Sequence, residues 1–400
     1  MRFADDPVGF FGDDGFAASA LGAEERERLQ QEALAYRLSA LLPAIPPLAA
    51  LAGAQGLDAG IALDEAPRLF FPNSIYKSYD PAWLTGHDFP QMTAWLDKFT
   101  THDLSLPAGS DFPTIDAWLD WIEGNHALEV IHSSGTTSKL SLLIRHAGEI
   151  AYNHHVIRML HREWFARAGL EMGDMRFHVI WLAPAEGRGA MTRAGRPWRE
   201  ISAPSPDAFA ALFERDLGTD YELYALQARA AAAQGELSLP QPSAHVEGKL
   251  AEAEQRMAGL EDHFTALLDR IAERMRGRRA IAIGGPHNLA RLAHMGIARG
   301  MDGMLGVRSL YASLGGLKGR GAPEGLERDL QRFIGSRIAL DTYGMTELRS
   351  GFMLCRAGRF HVPPWIVAWA LDPADGWKPF PRTGVREGRA AFLDLALCDA

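Results

Sequence analysis

Helical and strand-like spacings of apolar residues alternate along this chain. In residues 23–42, a charged, alanine-rich stretch, apolar positions recur at near-helical intervals and predict an amphipathic helix opening an N-terminal helical region. Trp83, Trp95, Trp118 and Trp121 follow among acidic and polar neighbours, and Trp118 and Trp121, one helical turn apart, predict a packed helix face. The spacing then shortens. Residues 128–131 and 140–144 are short apolar runs that predict strands, so the hydroxyl-rich stretch between them reads as a strand-to-strand loop. A helix is expected over 149–168 and a buried strand over 177–182, ending at Pro184 and followed by a Gly187-Arg188-Gly189 loop. Residues 247–276 predict one long helix with a solvated charged face, after the break Pro240-Gln241-Pro242.

Three more apolar runs, 279–283, 309–314 and 337–341, are separated by helix-length connections. They end respectively in Gly284-Gly285-Pro286-His287, in Gly315-Gly316 and in Tyr343-Gly344-Met345-Thr346-Glu347. That order predicts an α/β fold with a mostly parallel sheet flanked by helices, and with a crevice at the C-terminal ends of its strands. Beyond residue 350, short strands near 352–354, 365–370 and 390–395, punctuated by Pro363-Pro364, Pro379 and Gly384, predict a small β-rich, antiparallel or barrel-like portion. The expected organisation is a helical region over 1–125, an α/β subdomain over 126–278, a second over 279–350 and the β-rich portion over 351–400.

Bulk properties narrow the partners. The 400 residues, 47% hydrophobic and 23% charged, are those of an ordinary globular protein with a sizeable core. A net charge of -9 without a dense Lys/Arg cluster argues against nucleic acid. Only Cys355 and Cys398 are present, which fits a reducing compartment and supplies no disulfide framework. The N-terminus lacks the basic start and apolar core of a secretion signal, and the greasiest stretch, 40–52, is broken by Pro43, Pro46 and Pro47. A cytoplasmic protein without a membrane anchor is expected.

The chemistry concentrates in two peptides. Ser133-Ser134-Gly135-Thr136-Thr137-Ser138-Lys139 offers successive N–H groups and small hydroxyls able to fold around a polyphosphate. Neither the Gly-Lys-Ser/Thr of a Walker loop nor a Gly-x-Gly-x-x-Gly after a strand occurs, which leaves a Rossmann-type dehydrogenase without its fingerprint. His154, His155 and His161 lie at intervals of one, six and seven, not the three or four of a helical metal site, and read as structural or surface histidines. Each peptide taken singly also reads as a turn or a strand-end loop.

Taken together, in this order and about 200 residues apart, the Ser133–Lys139 stretch and the Tyr343–Glu347 stretch resemble the adenylate-forming superfamily of acyl-CoA and aryl-CoA ligases, peptide-synthetase adenylation domains and luciferases. Tyr76-Lys77-Ser78-Tyr79, the Ser-Ser-Gly-Thr-Thr run and Gly315-Gly316 are most similar to the phenylacetate-CoA-ligase-like and acyl-protein-synthetase-like branches. The resemblance spans roughly residues 65–395 and implies the large N-terminal domain of such enzymes. It implies that Ser133, Ser134, Gly135, Thr136 and Thr137 wrap the phosphates of ATP, that Gly315 and Gly316 lie against adenine, and that Tyr343 stacks on the ring's other face. Asp341 and Gly344 complete the nucleotide set, Thr346 meets the α-phosphate, and Glu347 holds Mg²⁺. Gly285 and His287 would face the acyl substrate, although a satisfied structural histidine fits His287 equally well.

Three departures accompany the likeness. Ser138, Leu140 and Ser141 stand where the family carries glycine, proline and a final lysine, and Lys139 is the candidate catalytic lysine instead. Asp394 and Asp399 are poor matches for the ribose-gripping aspartate. The mobile C-terminal domain of the family has no counterpart before Ala400, so the chain reads either as part of a longer enzyme or as a reduced one. The expected activity is ATP- and Mg²⁺-dependent activation of a small carboxylic acid, with aromatic acids as candidates. The acyl group would pass from the adenylate to CoA or to a carrier or enzyme thiol. The alternative is a non-catalytic or weakly active nucleotide- or acyl-binding protein of the same fold.

Overall fold

A computed structural model describes residues 1–12, 14–133, 139–167, 169, 176–235, 241–317, 320–348, 350–355 and 357–397. Its strands are β1 (Leu128–Ser133), β2 (Ser141–His146), β3 (His178–Glu186), β4 (Phe209–Arg215), β5 (Ala280–Gly284), β6 (Leu310–Ser313), β7 (Ile338–Tyr343), β8 (Phe352–Leu354), β9 (Phe360–His361), β10 (Ile366–Leu371) and β11 (Arg389–Asp394). Seven of them form one sheet in the order β4-β3-β5-β6-β7-β8-β9. The first five are parallel, and β8 and β9 add antiparallel at one edge. The sheet takes strands from both sides of residue 278. Two antiparallel hairpins, β1–β2 and β10–β11, stand outside it.

The parallel strands are apolar on both faces because helices cover both. Ile180, Leu182, Ala280 and Ala282 pack with Phe264, Leu268, Leu292 and Phe333 from the helices Leu260–Arg274, Pro286–Ala298 and Leu326–Ile334. The alternate residues Val179, Trp181, Ile281 and Ile283 pack on the other face with Phe165 of the helix Gly148–Arg167. The β1–β2 hairpin has a core of its own, in which Val130, Leu142 and Ile144 meet Met92, Trp95, Trp118 and Ile122. Trp118 is fully buried and donates its indole N–H to the Thr93 hydroxyl at 2.8 Å, so the tryptophan spacing marks a packed helix face. A further core joins the helices Ala23–Ala44 and Pro46–Gln55 to Trp365, Val367 and Trp369. Among the described residues no single helix is long and apolar enough to cross a membrane, and the pair Ala23–Ala44 and Pro46–Gln55 is bent by 111°.

Several expectations need correction. Residues 247–276 form two helices, Ala244–Ala258 and Leu260–Arg274, with Gly259 ending one and starting the next. Glu261 and Asp262 in the first turn of the second helix mark a fresh N-terminus, where acidic side chains complement the helix dipole. The strand expected to stop at Pro184 runs on to Glu186, because the pairing with β4 shifts register between Trp181 and Pro184 and so accommodates a residue without an N–H. β4 itself was not foreseen, although Phe209-Ala-Ala-Leu-Phe carries its signal. β7 continues past Asp341, making Tyr343 its last residue, opposite Phe352.

Candidate functional site

The C-terminal ends of β5, β6 and β7 are neighbours in the sheet, so the loops that leave them share one edge. At about 4.8 Å between strands, β5 and β7 are roughly 10 Å apart there. Gly285 caps the helix Pro286–Ala298, and His287, half-buried in its first turn, has its Nε2 enclosed without a hydrogen-bond partner. Gly315 and Gly316 leave β6 exposed, with φ of 80° and 59°. Consecutive left-handed residues demand glycine and keep that stretch of backbone bare of side chains.

On β7, Asp341 is exposed and Tyr343 is 40% exposed. The tyrosine ring stacks on Phe352 at 5.6 Å and 25°, and the Phe360 and Phe392 rings are tilted against it, each at 5.9 Å. Gly344 is exposed, while Thr346 and Glu347 are half-buried in the turn that follows. Residues from three strands foreseen as one group thus lie along one edge.

The β1–β2 hairpin crosses that edge and is tied to it at two points. His132 forms a parallel bridge with Gly189, just after β3, and Arg145 Nη2 donates to the Thr346 carbonyl at 2.9 Å, just after β7. From β3 to β7 is three strand spacings, roughly 14 Å. From the His132–Leu142 pair to Arg145 is three residues, roughly 10 Å of strand, and the long guanidinium arm covers the rest. The hairpin therefore spans the same ends that carry the glycines and Tyr343. Ser133 pairs in register with Ser141 at its tip, next to the β3 side. Ser134, Gly135, Thr136, Thr137 and Ser138 lie outside the described residues.

Lys139, where the hairpin resumes, donates from Nζ to the carbonyls of Tyr79 at 2.8 Å and Lys77 at 3.1 Å, and lies 5.5 Å from the centre of the Tyr79 ring. The Tyr79 hydroxyl donates in turn to the Leu140 carbonyl at 2.9 Å. The Tyr76–Tyr79 stretch is thereby strapped to the base of the hydroxyl loop. Tyr76 also feels both Arg145 and Glu347; burial pushes its hydroxyl up, Arg145 opposes that and Glu347 adds to it. Sequence reasoning missed Arg145, yet a single arginine inside the apolar run Ser141-Leu-Leu-Ile-Arg145 was its signal.

Beneath the hairpin lies a cluster of paired charges. Arg188, expected in a plain loop, has a side chain only 6% exposed and meets Asp116, Asp120 and Glu123. Arg193 joins Glu123 at 3.2 Å and Glu129 at 2.8 Å, and Arg196 joins Glu129 at 3.1 Å. His132 is buried beside them, and burial holds it down at about 4, hence neutral at pH 7. The three helix histidines have structural surroundings. His154 lies 3.2 Å from Glu200, His155 bonds the Gly12 carbonyl at 2.6 Å, and His161 stacks on Trp198. Among the described residues no group of three His, Cys, Asp or Glu is arranged to hold a metal. Mg²⁺ takes as few as one or two carboxylates and fills its remaining positions with water and substrate phosphates, so a single carboxylate such as Glu347 would be enough to hold it. Asp394 is buried at the end of β11 and accepts the Ala396 N–H.

No family model and no curated protein matches the sequence. Solved structures do match. One is 2-hydroxyisobutyryl-CoA ligase in the postadenylation state with R3-HIB-AMP, at a TM-score of 0.50 and 12% identity, covering 95% of this chain and 61% of that one. This chain has the fold of the N-terminal domain of adenylate-forming enzymes. The open conformation of the same ligase, with 2-HIB-AMP and CoA, aligns at 0.49 and 11%, covering 95% and 68%. At these identities the likeness is one of fold. This chain spans about three-fifths of the length of the postadenylation structure, and that ligase's ligands belong to that protein.

Proposed function

We propose that this protein binds ATP across the C-terminal edge of β5, β6 and β7 and uses it to activate a small carboxylic acid as an acyl-adenylate. A carboxylate oxygen attacks the α-phosphorus, the bond to the bridging oxygen breaks, and pyrophosphate leaves. The adenylate then gives its acyl group to CoA or another thiol. The observation that carries this reading is the Arg145–Thr346 hydrogen bond, which holds the hairpin bearing the hydroxyl loop at the edge that bears Tyr343.

In this reading the purine lies between the bare Gly315-Gly316 backbone and the exposed part of Tyr343, whose ring Phe352 supports. Thr346 sits in the turn where the α-phosphate would arrive, and its backbone is fixed by Arg145. Glu347 would hold Mg²⁺, which would offset charge on the phosphates as it builds. His287 at the end of β5, whose enclosed Nε2 has no hydrogen-bond partner among the described residues, would take an acid's polar group in this reading.

A second reading has its own observation. The Lys139 ammonium is engaged by two carbonyls, whereas the related enzymes' loop lysine is expected on the phosphates. That favours a protein that binds nucleotide with little turnover. Pyrophosphate exchange with a panel of acids, beside calorimetric ATP binding, separates the two. The ligase reading expects exchange with at least one acid, lowered about 10²- to 10³-fold in Glu347→Gln at unchanged melting temperature. Binding without exchange selects the second reading, and no ATP binding overturns both.

A further inference from the structure

At the N-terminal ends of the parallel strands, opposite the edge that carries Tyr343, the sheet is lined with arginine. The neighbouring strands β3, β5, β6 and β7 are each preceded within two residues by one: Arg176, Arg278 with Arg279, Arg308 and Arg337. These strand ends lie in register, with His178 beside Ala280, Ile281 beside Leu310 and Leu310 beside Ile338. The arginines therefore stand in a row about 14 Å long. Its members come from four separate stretches of sequence, so the row exists only in the folded sheet. Arg176, Arg278, Arg308 and Arg337 are exposed. Arg279 braces them, donating from Nε at 3.0 Å and Nη2 at 2.6 Å to the Arg176 carbonyl, with its guanidinium 4.7 Å from the centre of the Phe177 ring.

Helices also end at this edge, and the arginines at their ends are answered: Arg274 by Asp207 at 3.1 Å, Arg299 by Asp269 and Arg332 by Asp302. Among the described residues Arg176, Arg278 and Arg337 pair with no carboxylate. Gathered like charges are unfavourable by themselves, and here they stand in a chain whose net charge is -9. The turn before β6 adds a second feature. The Ser309 N–H donates to the Gly306 carbonyl at 3.2 Å, closing a turn on Val307 and Arg308, and Arg308 has a φ of 64°. Glycine or asparagine is the usual residue at such a position. Val307 beside it is 86% exposed. The turn thus presents a long cation and an apolar side chain to solvent within the row.

We propose that this edge docks an acidic amphipathic helix of a partner protein, laid across the strands with its carboxylates on the arginines and an apolar side chain on Val307. The spacing selects a helix. Side chains on one helix face recur about every 5.4 Å, close to the strand spacing of about 4.8 Å, so three repeats fall only about 2 Å out of step with the row. Along an extended segment same-face side chains recur about every 6.8 Å, and three repeats overshoot the row by about 6 Å. Val307 gives a phosphate chain nothing to contact, whereas an amphipathic helix brings it an apolar partner. This inference concerns the edge away from the glycines and Tyr343 and stands apart from the proposed adenylation.

The test reads fluorescence anisotropy of a labelled, lactam-stapled helical peptide, with glutamates one turn apart on one face and a leucine beside them, titrated with the full chain at pH 7.5 and low salt. Micromolar binding is expected, released by high salt. It should weaken about tenfold in Arg278→Glu/Arg337→Glu and about threefold in Val307→Ser, with melting temperatures unchanged because all three side chains are exposed. A peptide of the same composition with its glutamates scattered around the helix should bind about tenfold more weakly. Equal binding of the scattered peptide, binding unmoved by the charge reversal, no binding of the patterned helix, or tighter binding of a single-stranded oligonucleotide or inorganic polyphosphate would each overturn the proposal.

Discussion

The two ends of the β1–β2 hairpin are held in opposite ways. At the β3 end, Arg188, Arg193 and Arg196 reach Asp116, Asp120, Glu123 and Glu129 from beneath, and these charges are answered by protein. At the β7 end, Arg145 holds the Thr346 carbonyl, and around it Gly315, Gly316, Tyr343 and Gly344 stand exposed. The charged groups at the first end are partnered internally and contribute to holding the hairpin in place, while the buried His132 ring beside them has no hydrogen-bond partner among the described residues. At the second, the glycines leave backbone bare and Tyr343, though packed against Phe352, Phe360 and Phe392, stays 40% exposed, which in the proposed reading is a surface for another molecule. In the proposed reading, substitutions at the two ends should damage different things: stability at one, ligand affinity at the other.

The largest effect is expected from Arg188→Met. Removing the cation strands Asp116 and Glu123 in a partly buried place, and breaking such a cluster from one side costs about 3–5 kcal/mol. Denaturant unfolding measures it. A loss below about 1 kcal/mol would mean the cluster is solvated, and the contrast between the ends would disappear.

Acid should act at that end through His132, and on the helix Gly148–Arg167 through His161. Burial holds His132 and His161 down at about 4, so in the folded protein both are neutral across the range where the unfolded chain takes up protons. Stability is therefore whole above about pH 6.5 and lost as pH falls towards 4, by about 3 kcal/mol for each histidine. His161→Phe keeps a ring against Trp198 and should remove about half of that loss. Unfolding curves at pH 7 and pH 4.5 decide it, and an unchanged difference between them counts against burial as the cause.

Next in size is Arg145→Met, which tests the tie between the ends. It leaves the Thr346 carbonyl without this donor, and the expected cost is about 1–3 kcal/mol. Because the turn bearing Thr346 and Glu347 is then less fixed, ATP affinity should fall further than in Arg188→Met once each variant is measured well below its melting temperature. Equal losses of affinity would show that Arg145 acts on the fold alone.

Much of this edge was legible in sequence because it rests on local signals. The strands before Gly285, Gly315 and Tyr343 each begin with an apolar run, and small or polar residues follow at their ends. Gly259 and the acidic turn after it were equally local and were outweighed by the length of the charged run around them. What was not legible is pairing at long range. Arg188 meets partners 65 to 72 positions away, and no spacing rule connects a Gly-Arg-Gly loop to a helix beginning at Ile115. The straps from Lys139 to Lys77 and Tyr79, and from Arg145 to Thr346, are likewise set by how the hairpin lies across the sheet.

The smallest effect on stability, and the sharpest on the comparison, is expected at Gly316. Its φ of 59° is left-handed, and a Cβ built there meets nothing among the described residues within 4 Å. Gly316→Ala should therefore cost only the backbone strain of that conformation, about 1 kcal/mol, and Gly316→Asn less, since asparagine tolerates it better. In the free protein the added methyl points into open space, so any further penalty must come from what occupies that space. If the purine lies there, ATP should bind about tenfold more weakly to Gly316→Ala than to the wild type, by calorimetry at a temperature where both are folded. A variant that loses the 1 kcal/mol of stability and binds ATP unchanged would move the purine away from β6, while leaving the hairpin's charged anchor as it stands.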